Sequence, residues 1–346
     1  MKRFYCCCGN EVFFENTSCG VCNRAVGFDP DTLNFHTLVA HTDTILESQV
    51  NARRYRFCAN FINHSVCNWI IALSDDNLYC KGCRLNRTIP DLDIEINLQR
   101  WREIEQAKKR MLYTLYSLGL PVVDRTQDPE KGLAFDFMEN ARVDLHNVED
   151  AVTTGHLNGV ITINVLEADH LYREKIRLQM CELYRTMLGH FRHEIGHFYW
   201  EYFFPTPKSR LRFQKIFGDD QMPYAEALDR YYKWTPSGWE NEFITAYASS
   251  HPFEDWAETW AHYLHMQDML ETARARKALV PLVSSDFESD LRQWIELTIV
   301  ANELNRSMGL PDLYPFVINQ KVRKKLKSIN LFVRFASVSS SVSASP

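Results

Sequence analysis

Residues 193–197 read His-Glu-Ile-Gly-His, inside FRHEIGHFYW. On a helix, side chains four apart stand one above the other, so His193 and His197 can present ring nitrogens to one ion. Glu194, one step round, can lie beside an open coordination position and take a proton from the metal's water. Gly196 leaves room for a second backbone to approach. The bland reading is a core helix with two hydrogen-bonded histidines. Leu183, Met187, Leu188, Phe191, Ile195 and Phe198 supply buried faces under either reading. Two histidines do not complete a zinc site, since catalytic zinc takes three protein ligands and keeps one position open.

A later stretch, FEDWAETWAHYLH at 253–265, offers the third ligand. Glu254 and Glu258 stand four apart, and like charges at that spacing repel. Burying both requires a cation or strong donors. Zinc for Glu254 and a histidine N–H for Glu258 would resolve the repulsion, with Glu258 orienting a ligating imidazole from behind. Asp255, His251, His262 and His265 compete for the metal, as does His190, one turn before His193. Trp256, Ala257, Trp260 and Leu264 suit a buried helix.

The ten cysteines form a second chemistry, since nine of them fall in the first 83 residues and only Cys181 lies beyond. Cys6, Cys8, Cys19 and Cys22 make one set of four, with Cys7 competing for the place of Cys6. Cys58, Cys67, Cys80 and Cys83 make another. Structural zinc takes four thiolates in a tetrahedron, and two ligand pairs joined by a hairpin supply them. Free cysteines can also be small buried hydrophobes, but the pairing of eight into two such sets favours metal. The expected content is three zinc ions, one catalytic and two structural. Arg53, Arg54 and Arg56 keep nucleic-acid contact by the cysteine region open as a competing role.

These residues need elements to position them. At 346 residues, 45% of them hydrophobic, the chain can fill a sizeable core over two or three domains. A net charge of −5 argues against generalised attraction to nucleic acid or an anionic membrane. No apolar run approaches the roughly 20 residues that cross a bilayer. MKRFYCCCGN carries no apolar stretch behind its basic pair, so the expected location is the cytoplasm. Residues 1–90 read as the cysteine-bearing domain, and 91–120 as a linking helix. Within the latter, Ile94, Leu98, Trp101, Ile104, Met111, Leu115 and Leu118 recur at three- and four-residue steps. LAFDF (133–137), ARVDL (141–145) and GVITINV (159–165) alternate as strands of a small sheet. The remainder of 121–330 reads as helical, including 253–276 and 285–307. VRKKLK reads as a solvated helix face, and the serine-rich tail 331–346 as disordered.

HEIGH with E-x3-E beginning 57 residues after His197 resembles the glutamate-zincin arrangement. ITAYASSHPFEDWAE resembles the matching segment of lethal-factor-type zincins, with Tyr247 seven residues before Glu254. FFENTSC, CNW, CRLNRTIPDL, TGHLNGVITINVLEAD, YRTMLGHFRHEIGH and AYASSHPFEDWAETWAHYLH extend the likeness. Over most of residues 1–275 the chain resembles a bacterial family of zinc-binding metallopeptidases that carry an N-terminal zinc-ribbon region. The resemblance implies an α+β fold: a mainly helical, zincin-like metallopeptidase domain with a small β-sheet, preceded by a zinc-ribbon domain. It further implies that GVITINV is an edge strand that pairs with extended substrate, an interior strand being the bland alternative.

The activity so implied is hydrolysis of peptide bonds in a peptide or protein substrate. His193, His197 and Glu254 would hold zinc, Glu194 would act as general base, and Tyr247 would donate to the oxyanion. Tyr247 has an ordinary reading too, as a core or helix-end tyrosine. Two competing functions are a zinc-ribbon adaptor using a zincin-like platform and a zinc hydrolase that cuts another amide.

Overall fold

In a computed structural model, residues 1–139, 154–279 and 286–343 are described. The expected strand ARVDL lies outside them. The fold is α+β, and its contacts divide the chain into two compact units. One comprises residues 2–117 and 121–176; the other comprises residues 177–346 together with 1 and 118–120.

The first unit opens with a short hairpin, β1 (Phe4–Tyr5) and β2 (Glu11–Val12). An antiparallel meander follows: β3 (Ala25–Asp29), β4 (Asn34–Ala40), β5 (Leu46–Ser48), β6 (Arg54–Phe57) and β7 (Ile70–Ala72). Helix α1 (Ala59–His64) bridges the last two strands. After β8 (Asn86–Thr88) comes the expected long helix, α2 (Glu95–Ser117). Its stripe of Trp101, Ile104, Met111 and Leu115 is fully buried. Gly119, at φ +67°, takes the left-handed conformation that ends helices without strain.

This helix is the centre of its unit, where linear reading expected a linker. Tyr113 meets the rings of Phe4, Phe14 and Phe28 edge-on at 5.6–6.3 Å. One turn earlier, Lys108 Nζ lies over Phe135 and Phe137. Those rings belong to the second sheet, formed by β8, β9 (Ala134–Met138), β10 (Gly155–Leu157) and β11 (Val160–Asn164). The strand order is β10-β11-β9-β8. GVITINV therefore contains an interior strand, β11, and the edge reading is corrected. The chain hairpins at Asn158–Gly159, laying β10 antiparallel along one side of β11 while β9 runs parallel along the other.

The second unit is helical. After α3 (His170–Gln179), which crosses the division between units, come α4 (Met187–Phe203), α5 (Pro207–Phe217) and α6 (Tyr224–Lys233). Then follow α7 (Pro252–Ala275), α8 (Phe287–Ser307) and α9 (Gln320–Ser343). Local chemistry sets the starts. Thr186 caps α4 by accepting from Gly189 N, and Thr206 and Ser209 form a capping box on α5. His251 caps α7 ahead of Pro252, whose fixed φ suits a first helical turn.

One expectation about the C-terminal stretch is corrected and another is qualified. Helix α9 continues to Ser343, through most of the tail expected to be disordered, because Val322, Leu326, Ile329, Val333 and Ala336 extend one buried stripe at helical spacing. The basic run VRKKLK does present a solvated face at Lys324 and Lys327, but Lys325 is the exception, buried in an ion pair with Asp255.

Candidate metal centre and active site

Helices α4 and α7 approach closely at Gly196. A Cβ there would come within 3.0 Å of Ala257 Cα and 3.2 Å of Trp260 Cβ. Trp256 Nε1 donates to the Gly196 carbonyl at 2.8 Å, and Tyr199 stacks on Trp260 at 4.7 Å. This seam brings His193 and His197 against Glu254, with donor atoms all within 4.8 Å of one another. His193 Nε2 lies 3.0 Å from Glu254 Oε2 and 3.2 Å from His197 Nε2. Glu254 is completely buried, whereas the two histidines are partly exposed.

The donor set suits zinc. His193 Nδ1 lies 2.6 Å from Glu258 Oε1, so its proton belongs on that side and Nε2 presents a lone pair to the cluster. Glu254 Oε2 is buried with no hydrogen-bond donor from outside the histidine pair. Lone pairs converging in so little space need a cation. Burial disfavours the His193 imidazolium, yet hydrogen bonds and charge from Glu254 and Glu258 raise its proton affinity well above the usual range. Burial likewise works against the Glu254 carboxylate, but His197 and His193 hold it well below the usual range. The cluster thus attracts positive charge. The repulsion foreseen for Glu254 and Glu258 is relieved on both sides.

The competing ligands are engaged elsewhere. His251 Nδ1 accepts from Phe253 N, and its Nε2 donates to the Met222 carbonyl. Asp255 pairs with Lys325, His262 Nδ1 lies 2.5 Å from Tyr314 Oη, and His265 Nδ1 accepts from Arg192 at 2.7 Å. His190 is outside the three-residue donor group.

Glu194 is buried beside His193, and burial raises its carboxyl while the two histidines pull it back. A raised carboxyl suits a group that must both take and return a proton. The Tyr247 ring centroid lies 5.9 Å from that of His193. Burial and the nearby Glu254 charge raise its phenol far above the ordinary value, so it is a hydrogen-bond donor. One residue here escaped sequence reasoning: Tyr224, at the start of α6, donates to Glu254 Oε1 at 2.7 Å. It precedes Glu254 by 30 residues in no recognisable motif, so the sequence offered no signal for it.

The two cysteine sets also assemble. Cys6, Cys8, Cys19 and Cys22 form one group, with Sγ separations of 3.5 Å for Cys6–Cys22 and 3.7 Å for Cys8–Cys19. Cys7 lies outside it, its sulfur accepting from the Arg24 guanidinium at 3.3 Å. Cys58, Cys67, Cys80 and Cys83 form the other group, all four buried. Buried Lys109 stands beside this group: burial opposes its charge, but Cys67 and Cys83 hold its ammonium firmly protonated. Thiolate groups of this composition and closure suit structural zinc.

Comparison with known proteins gives the family. A family model described as "Putative zinc-binding metallo-peptidase" matches residues 97–332, and one for a zinc-ribbon domain matches residues 3–94. Uncharacterized proteins of Mycobacterium bovis and Mycobacterium tuberculosis are each 38% identical over 347 residues, covering 96% of this chain and 95% of the relative. No solved structure matches. Among the described residues, no helix is long and apolar enough to cross a membrane.

Proposed function

The chain belongs to the family of zinc-binding metallopeptidases that this model describes, and from that premise we propose that it hydrolyses peptide bonds at the α4–α7 seam. One observation supports the reading: potential ligand atoms of His193, His197 and Glu254 converge within 4.8 Å of one another, with Glu258 behind His193 Nδ1. Zinc held there supplies Lewis acidity and a lowered water pKa. Glu194 removes a proton from the attacking water as the oxygen–carbon bond forms. It then delivers that proton to the amine nitrogen as the carbon–nitrogen bond breaks. Tyr247 donates its O–H to the carbonyl oxygen, where negative charge develops. Glu258 holds His193 in the tautomer that leaves Nε2 free. The two cysteine groups, in the zinc-ribbon part of the chain, hold structural zinc.

The test compares peptide ends by mass spectrometry in cells expressing the wild type and Glu194→Gln. New ends that appear only with the wild type identify substrates. Identical ends, together with a function that survives the substitution, would instead favour an adaptor. Loss of turnover on a different amide would favour an amidase.

A further inference from the structure

We propose that Tyr224 is a positioning residue of the metal centre, its O–H fixing Glu254 Oε1 so that Oε2 is the oxygen offered to the ion. This rests on reading His193, His197 and Glu254 as the ion-holding residues. A carboxylate can bind a cation through one oxygen or both, and each oxygen carries two lone-pair sites. In this chain the two oxygens are distinguished. Oε1 accepts the Tyr224 phenol at 2.7 Å and stands 3.6 Å from His197 Nε2. Oε2 faces His193 Nε2 at 3.0 Å and takes no donor from outside the histidine pair. A hydrogen bond to an ionised acceptor is short and strong, so Glu254 should hold this orientation before any ion arrives.

The placement of Tyr224 is built into the fold. It lies on a separate helix from both ligand-bearing ones, and His251 joins the approach to that helix to the start of α7. His251 caps α7 through Nδ1, one turn before Glu254, while its Nε2 donates to the Met222 carbonyl. The Tyr224 ring packs edge-on against the His251 ring at 5.3 Å. The cap that starts the Glu254 helix thereby also seats the phenol that orients Glu254.

Tyr224→Phe keeps the ring and removes the O–H. Full-length wild type and variant are stripped of readily exchangeable metal by mild chelation and reloaded with Co2+. Affinity is then measured by chelator competition, and the visible ligand-field spectrum is recorded. The expected result is roughly 10–100-fold weaker Co2+ binding in Tyr224→Phe, the usual cost of losing an outer partner of a ligand, with an altered spectrum and an unchanged apoprotein melting temperature. Wild-type affinity and spectrum would overturn the proposal. So would tighter binding, which would make the phenol a competitor of the ion. Glu254→Ala separates this from the premise: if it binds Co2+ as tightly as the wild type, the ligand set is wrong whatever Tyr224 does.

Discussion

Tyr247 and Glu258 are expected to fail in different ways when altered. Tyr247→Phe should keep its metal and its melting temperature yet lose about 100- to 1000-fold in turnover, because a preorganised donor to a developing oxyanion contributes about 2.7–4 kcal/mol. Steady-state kinetics beside metal analysis checks this, and unchanged turnover would return Tyr247 to a packing role. Glu258→Ala should instead weaken metal affinity by roughly 10–100-fold, since His193 loses the acceptor that fixes its ring. Competition with a chelator of known affinity reads that loss. His193, His197, Glu254 and Glu258 could be nominated from four-residue spacing within two helices, whereas Tyr247 was nominated only through the family resemblance. Tyr224 was not legible at all, because its partner is reached through folding rather than spacing.

At the level of elements, the α4–α7 seam depends on the missing side chain of Gly196. Gly196→Ala should destabilise the protein by about 1–3 kcal/mol through overpacking against Ala257 and Trp260. Urea unfolding measures it, and a parallel loss of metal affinity would show that the helices part at the site. The second sheet carries a pH-dependent contact. Burial raises the Asp136 carboxyl, but hydrogen bonds from Arg87 and Thr88 prevail and lower it overall. A lowered carboxyl contributes stability above its unfolded value of about 4, and the contribution vanishes as pH falls through the folded value. Arg87 is more than half exposed, so solvent screening limits the effect to about 1 kcal/mol. Asp136→Asn should therefore be less stable than the wild type at pH 7 and equal to it near pH 2. The long helix α2 was readable because its apolar residues recur at helical spacing and are buried. Strand neighbours were not, since alternation in GVITINV is the same at an edge or an interior place, and a hairpin partner decides which. The serine-rich tail misled through its composition, although Val333 and Ala336 continue the buried stripe.

For the molecule as a whole, elemental analysis of protein purified without chelator should find three zinc ions per chain. A ratio near one would remove both thiolate assignments. Mild chelation should release the ion at His193, His197 and Glu254 first, because an open site yields metal more readily than a closed thiolate cage. The division of the chain near residue 176 was hidden from a linear reading. Helix α2 packs against the five-stranded meander and the four-stranded sheet and so draws the latter to the cysteine-bearing part, a grouping that periodicity within each segment does not reveal. The contrast in shelter between the centres has a consequence for a cell's zinc economy. Cys58, Cys67, Cys80 and Cys83 are sealed from solvent, whereas His193 and His197 meet it. On the proposed reading, scarcity would empty the centre at His193, His197 and Glu254 while the sealed thiolate group kept its ion and held its part of the fold. The protein would then persist folded and idle and resume work when zinc returned, without new synthesis.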